Sequence, residues 1–411
     1  MTTSLPRTDP RTPPRAGDGP LRVAVVGAGT IGRIHARAAA SVPGIEVVAV
    51  VDPSAPAAAL FQEQVRRDAL STCTPGDGAL TGDASATPRH VRSLAEIERG
   101  TVDLAAVCTP SGTHVDLALE AIEAGLHVLV EKPVDVDLRS AVRLLEASAL
   151  ARSRGQVVSV VSQHRFDPDV ATVRALVAQG RLGRLTSAIA SVAWWRSQAY
   201  YGSAPWRGTW EMDGGGALMN QGIHTVDLLL SFLGRPQEVT AFTATTSHTR
   251  IEVEDVAVAA MRFGSGAVAV LHATTNAYPG LGTRIQLMGD DGSALLDEER
   301  LTYLHLRGAA AETAGDMGGV REDDQSARHA DTDAATWKDA TSDELGHARQ
   351  YADVLRAVRE NGSPQVTVED GVLALATVLS TYLAARTGYA VRIDEVLAGA
   401  YDEEIDRLRA P

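Results

Sequence analysis

Between Leu21 and Leu150 the chain alternates short runs that are apolar at every position with longer stretches whose apolar residues recur every three or four places. The runs are Val23 to Val26, Val47 to Val51, Leu104 to Val107 and Val128 to Val130, and helical patterns follow the first, third and fourth. A strand apolar throughout is one covered on both faces, and a helix between strands is the crossover a parallel sheet requires. The pattern predicts an α/β domain, a doubly wound parallel sheet of Rossmann type, over residues 21–155. Residues 72–90, rich in Gly, Pro, Ser, Thr and Asp, read as a surface insertion before a helix from Ser93 to Arg99.

Beyond Gln156 the period shortens to two. Strand-like segments run Leu185 to Ser197, Glu238 to Ser247, Asp255 to Phe263, Ala267 to Thr275, Thr283 to Met288 and Leu301 to Leu306. Several alternate apolar and polar positions, as strands with one wet face do, and gaps of hairpin length argue for a mostly antiparallel sheet. Residues 156–411 are therefore expected to form a second, α+β domain. The acidic, Gly- and Ala-rich stretch from Gly308 to Ser342 reads as a loop, and Glu344 to Glu360 and Val368 to Thr387 as closing helices.

The length of 411 residues agrees with two domains, because single cores rarely grow past roughly 250–300 residues. A net charge of −14 opposes a phosphate backbone or an anionic bilayer, so neither nucleic acid nor membrane is an expected partner. No run reaches the roughly 18 apolar residues of a membrane span. Residues 1–20 carry five prolines and no apolar stretch, and read as a disordered tail rather than a signal peptide. Cys73 and Cys108 are too few for a disulfide framework and have no metal or redox spacing, which fits the cytoplasm. No metal site is expected.

Chemistry enters at the first strand. Gly27, Gly29 and Gly32 form Gly-x-Gly-x-x-Gly where the strand meets a helix, with Thr30 and Ile31 inside the motif. Such a turn brings backbone amides and a helix N-terminus to a pyrophosphate. The second strand ends at Asp52, twenty residues after Gly32, where an acid can bind both ribose hydroxyls and repel a 2′-phosphate. NAD is the expected cofactor, with NADP as the alternative. The third strand ends in Thr109 and Pro110, followed by His114, at the sheet edge where open α/β folds bind ligands. These residues would line the nicotinamide ribose, or serve only to start the next helix.

Only two lysines occur in the whole chain, Lys132 and Lys338, and Lys132 follows Glu131 at the end of the fourth run. A chain that otherwise uses arginine keeps a lysine where a compact, titratable ammonium is needed. Further on, Asp213 and Gly214 to Gly216 lead into an apolar stretch in which Asn220, His224 and Asp227 fall at i, i+4 and i+7, one face of an α-helix. Asp227 one turn from His224 could fix its tautomer, the arrangement of a general base. Upstream, four of the five tryptophans lie between Trp194 and Trp210, with Trp206 next to Arg207. Aromatic faces with polar rims suit a sugar or cyclitol, and suit a packing interface equally.

The order Gly27-x-Gly29-x-x-Gly32, Cys108-Thr109-Pro110, Glu131-Lys132-Pro133, Arg165-Phe166 and Gly214 through His224 to Asp227 resembles the Gfo/Idh/MocA oxidoreductases. That family includes glucose-fructose oxidoreductase and inositol dehydrogenases, and the likeness runs from about Leu21 to Ile393. It implies a second domain with a large open sheet that often supports dimers or tetramers. It also implies that Lys132 and His224 flank the nicotinamide and the substrate carbinol, with Glu131 beside the cofactor and Arg165, Trp206, Arg207 and Asn220 towards substrate. One departure is Asn220, where many inositol dehydrogenases carry Asp.

The expected reaction is reversible hydride transfer between NAD and a secondary alcohol of a sugar, cyclitol or related polyol. His224 takes the hydroxyl proton, and Lys132 stabilises the developing alkoxide. Two rivals share the fold: an NAD-dependent glycosidase in which oxidation is transient, and an NAD-binding regulator without turnover.

Overall fold

The computed structural model describes residues 19–71, 87–307, 324–328 and 342–409. The expected tail and most of both expected loops lie outside these residues. The chain divides into two compact units, one of residues 1–135, 139–163 and 340–371, the other of 136–138, 164–339 and 372–411.

In the first unit the order is β1 (Leu21–Val26), α1 (Thr30–Ala40), β2 (Ile45–Val51), α2 (Ala55–Ser71), β3 (Arg89–Val91), β4 (Leu104–Val107), α3 (His114–Glu123), β5 (His127–Val130), α4 (Leu138–Ser153) and β6 (Val158–Val160). All six strands are parallel, in the order β3-β2-β1-β4-β5-β6. The order of successive strands reverses between β1 and β4, β2 and β3 lying on one side and β5 and β6 on the other, the switch point at which doubly wound sheets bind ligands. Every residue of β4 and β5 is buried, as their unbroken apolar runs require. The expected helix at Ser93 to Arg99 is only a single 3₁₀ turn, Leu94–Glu96, and a short strand, β3, lies where the insertion was expected to end.

The second unit contains α5 (Pro168–Ala178), β7 (Leu185–Ala193), α6 (Gln198–Tyr201), α7 (Trp210–Asp213), α8 (Ile223–Leu233), β8 (Pro236–Ala244), β9 (Val256–Phe263), β10 (Val268–Thr274), β11 (Gly282–Gly289), β12 (Gly292–Asp297) and β13 (Arg300–Leu306). After α9 (Ser342–Glu360) and α10 (Val368–Thr387) come β14 (Val391–Arg392), α11 (Ile393–Leu397) and α12 (Asp402–Arg409). The sheet runs β13-β12-β11-β7-β10-β9-β8-β14 and is antiparallel except where β10 meets β7. One face is covered and the other is open: Ala257, Ala259, Met261 and Phe263 of β9 are buried, whereas Val258 and, opposite it on β8, Phe242 are exposed.

The two-part division expected from sequence misses one exchange. Helix α9 belongs to the first unit, where Tyr351, Val354, Leu355 and Val358 join the core of β1, β2 and β4. An amphipathic pattern says that a helix covers something, not which sheet it covers. Helix α10 has the length and apolarity to cross a membrane, yet 72% of its apolar window is buried inside the protein.

Candidate active site

The glycine turn is shaped by close approach. A Cβ on Gly32 would lie 1.9 Å from the Gly27 carbonyl oxygen, and Gly27 itself sits at φ +104° with its α-hydrogens against the Cys108 carbonyl. Gly29 is different: a Cβ there would meet nothing within 4 Å. The space over Gly29 is therefore available to a ligand. No side chain caps α1 and no acid stands in its first turn, so its amides and positive end remain for a pyrophosphate. Asp52 closes the same turn, accepting the Ala28 N–H at 2.9 Å on Oδ2 and the Ser54 N–H at 2.8 Å on Oδ1. The residues present fit a dinucleotide.

His114 is buried, and its ring ties the two neighbouring strand ends together, Nδ1 to the Pro133 carbonyl and Nε2 to the Thr109 carbonyl, each at 2.8 Å. Thr113 Oγ1 donates to the Pro110 carbonyl at 2.7 Å. Thr109, Pro110 and the Glu131-Lys132-Pro133 turn are thus one braced edge, with His114 as the brace.

Behind Lys132 lies a network that sequence reasoning missed. Glu131 is buried, yet hydrogen bonds from His347 and His35 outweigh desolvation and hold its carboxyl well below the usual range. As an acceptor only, it takes the His35 Nε2–H at 2.9 Å on Oε1 and the Lys132 backbone N–H at 2.9 Å on Oε2. His347 Nε2 lies 3.5 Å from Oε1. Burial pushes the His35 pKa down, so the ring is neutral and its Nδ1 accepts from the Tyr351 hydroxyl at 2.9 Å. His35, Glu131 and His347 are of metal-ligand type and lie within 4.8 Å of one another. They are joined here by hydrogen bonds that fix the backbone on which Lys132 stands. His35, three residues past Gly32, was a visible signal; His347 is over 200 residues away in sequence.

In the second unit the Asn220-His224-Asp227 stretch is not one α-helix. Ala217–Gly222 form a π-helix that passes into α8 at Ile223. The wider turn alters the common face expected from i and i+4 spacing, and π turns inside helices recur at functional sites. Asn220 Nδ2 donates back to the Gly215 carbonyl at 2.9 Å.

The segment is anchored at its start. Helices leave their first four N–H groups unpaired, and here one side chain and its backbone take three of them. Glu254 accepts from Gly216 N at 2.9 Å on Oε2 and Leu218 N at 2.8 Å on Oε1, and its carbonyl accepts from Ala217 N at 3.0 Å. The Tyr382 hydroxyl accepts from Met219 N at 3.2 Å and donates to Glu254 Oε1 at 3.0 Å. Burial nevertheless wins over these bonds and pushes the Glu254 carboxyl up to about 7. Gly216 is required because a Cβ would lie 1.8 Å from the Glu254 carbonyl oxygen.

Downstream, Asp227 is buried and both its oxygens accept from Arg165, from Nε at 2.7 Å and Nη2 at 2.6 Å. Arg165, expected towards substrate, is committed to this carboxylate. The neighbouring His164 stands edge-on to the His224 ring with centroids 5.1 Å apart, and its Nδ1 lies 2.8 Å from Asp167 Oδ2. The turn Gln163–Phe166 therefore supplies two side chains to the His224 helix, one against the imidazole and one on Asp227.

Two family profiles match in tandem: the NAD-binding Rossmann fold of an oxidoreductase family over residues 21–162, and the GFO/IDH/MocA C-terminal domain over 170–295. The chain belongs to the Gfo/Idh/MocA oxidoreductases. Like other members it is an NAD-binding dehydrogenase or reductase. Its sequence is 28% identical to the 1,5-anhydro-D-fructose reductase of Ensifer adhaerens, over 91% of this chain and 98% of that one. It is 29% identical to inositol 2-dehydrogenase 4 of Saccharopolyspora erythraea, over 70% and 77%. Among solved structures of the family, the WlbA dehydrogenase of Bordetella pertussis with NADH and UDP-GlcNAcA superposes with a TM-score of 0.74 at 29% identity, covering 92% of this chain and 99% of that one.

Proposed function

We propose that the protein catalyses reversible, NAD-dependent oxidation of a secondary alcohol on a sugar, cyclitol or related polyol. One observation carries the reading: His224 follows an anchored π turn, with His164 against its ring and the Arg165–Asp227 pair one turn on. An imidazole held in that way is a general base of fixed orientation. The relatives named as anhydrofructose reductase, inositol dehydrogenase and a dehydrogenase bound to a sugar nucleotide support the substrate class.

His224 takes the hydroxyl proton, and Asn220 binds a neighbouring hydroxyl. Lys132, on the backbone fixed by Glu131, stabilises the alkoxide as it forms. Gly29, the α1 amides and Asp52 would hold the dinucleotide, which when bound would supply the hydride acceptor. We place the protein in the cytoplasm and read the open sheet face as its contact with a second copy.

The test is a panel of sugars, cyclitols and polyols with NAD, read as net NADH formation, with His224→Gln alongside. NADH formation that falls about 100-fold or more in the variant supports the base. Turnover unchanged in His224→Gln removes His224 from the role. Release of aglycone without net NADH selects the transient-oxidation glycosidase instead.

A further inference from the structure

The first four N–H groups of a helix have no partner within it, and in the segment that leads to His224 two residues from elsewhere in the second unit take all of them. Glu254 holds Gly216, Ala217 and Leu218, and the Tyr382 hydroxyl holds Met219. The next N–H, that of Asn220, turns inward to the Gly216 carbonyl at 3.0 Å.

The glycine run makes room for these anchors. A Cβ on Gly215 would run into the Tyr382 hydroxyl, and one on Gly216 into the Glu254 carbonyl oxygen. Gly214 lies at φ +70°, and a Cβ there would come within 2.8 Å of Val136 Cγ1. All three glycines thus face protein, whereas Gly29 faces open space. Trp210 stands edge-on to the Tyr382 ring with centroids 5.3 Å apart, and its own N–H and Nε1–H are held by Glu252 at 3.0 Å each.

The far end is fixed independently. Ile223, Val226, Leu229 and Leu230 of α8 are buried, and Asp227 is paired with Arg165. A π turn closes on the fifth residue where an α turn closes on the fourth, so Ala217–Gly222 takes up one residue more between the two ends than an α-helix would. Freed at its start, the segment can rewind as α-helix, which turns that start against α8 by about 100°, the angle of one residue at 3.6 per turn. Asn220 lies in the part that turns and His224 beyond it, so their relative orientation depends on the winding.

We propose that Glu254 and Tyr382 are positioning residues for the reaction: from outside the segment they hold its π register, and through it they aim Asn220 at the hydroxyl beside the one that His224 deprotonates. Both act through the backbone amides of residues 216–219. This rests on the reading of His224 as the base and Asn220 as a substrate ligand, and it adds what keeps the two in step.

The test compares wild type, Tyr382→Phe, Glu254→Gln and Thr381→Val as full chains at pH 8, above the value of about 7 at which the Glu254 carboxyl titrates. Tyr382→Phe removes one hydroxyl and strands Met219 N–H, and Glu254→Gln turns an NH2 donor against Gly216 N–H or Leu218 N–H. Thr381→Val is the control: it removes a buried hydroxyl of α10 that donates within its own helix, to the Thr377 carbonyl at 2.9 Å. Winding is followed on the side-chain amide resonance of Asn220, assigned by its loss in Asn220→Ala, and turnover as net NADH from the panel above. In Tyr382→Phe and Glu254→Gln the resonance should be displaced and kcat should fall about tenfold to hundredfold, the effect of a misplaced group, with NAD affinity unchanged. Thr381→Val should keep both at wild-type values, whatever it costs in stability. An unmoved resonance overturns the proposal, and so does a kcat unchanged in both anchor variants where the wild type turns over; the oxidoreductase reading stands in either case. Equal losses in Thr381→Val also overturn it, because the effect is then one of packing in α10. A displaced resonance in a protein that forms NADH from no sugar supports the register and counts against the oxidoreductase reading.

Discussion

Arg165 grips Asp227 side-on, Nε on Oδ2 at 2.7 Å and Nη2 on Oδ1 at 2.6 Å, with both side chains buried. Removing one partner of a buried pair strands the other charge, at a cost of ~3–5 kcal/mol. Arg165→Met should therefore unfold at markedly lower urea concentration than the wild type. Arg165→Met with Asp227→Asn, which removes both charges, should recover part of that loss. Equal denaturation midpoints for wild type and Arg165→Met would show that the pair contributes nothing.

Glu254 gives the stability a pH dependence of definite sign. Its carboxyl is raised from 4.5 to about 7, so between those values the folded chain holds a proton that the unfolded chain releases. The contribution is fully present below about 4.5, is lost as pH rises through 7, and amounts to on the order of 3 kcal/mol. Asp213, raised from 3.8 to about 6, adds a slope of the same sign at lower pH. Glu254→Gln cannot titrate, so its stability relative to wild type should improve from pH 5 to pH 8. Chemical denaturation across that range measures it, and a constant difference between the two proteins would refute the assignment.

Apolar runs made the first unit legible: a strand buried on both faces has no other way to read, and β1, β2, β4 and β5 lie within two residues of expectation. The glycine turn and Asp52 were equally legible, because their chemistry is local and Ala28 N–H to Asp52 joins the two predicted pieces. What sequence could not show was partnership across distance. Glu254 and Tyr382, 128 residues apart, jointly anchor the helix of His224, and no periodicity links them. The π turn was hidden for a related reason, since Ala217–Gly222 carries an ordinary helical pattern and only its buried anchors reveal the wider winding.

The bonds to Glu131 give Lys132 a fixed base. Glu131→Gln keeps the shape but replaces one acceptor oxygen with an NH2 donor, opposing either the His35 Nε2–H or the Lys132 N–H. With Lys132 as the proposed catalytic ammonium, kcat should fall by up to about 100-fold, the effect of a misplaced catalytic group, with KM for NAD little changed. The carboxyl lies well below its usual value, so the network stays ionised through neutral pH and should not itself create a limb in the pH profile. A variant that binds NAD poorly but turns over normally would assign Glu131 to the cofactor instead.

We propose that Asp52 sets cofactor choice by charge. It already holds the glycine turn through Ala28, so the carboxylate is positioned before any ribose arrives. Asp52→Ser removes the repulsion of a 2′-phosphate and one charged acceptor for the ribose hydroxyls. The ratio of kcat/KM for NAD over NADP should fall about tenfold to hundredfold, the equivalent of one charged hydrogen bond. Steady-state rates with both cofactors decide it, and an unchanged ratio would place the discrimination elsewhere.

The open sheet face carries the last prediction. Phe242 is 83% exposed and lies opposite Val258 in the register of β8 and β9, while Val270 lies opposite Ile189 where β10 meets β7. All four are exposed, and an apolar face of this kind marks a protein contact. We propose a second copy of this chain as the partner, in a two-fold contact that would place Phe242 of each chain against apolar residues of the other. Phe242→Glu would bury a charge in that contact without touching the covered face. Light scattering on the eluting protein should report an oligomer for the wild type and a smaller species for Phe242→Glu, with the fold intact by circular dichroism. A wild type that elutes as a monomer at every concentration tested would show that this face stays wet.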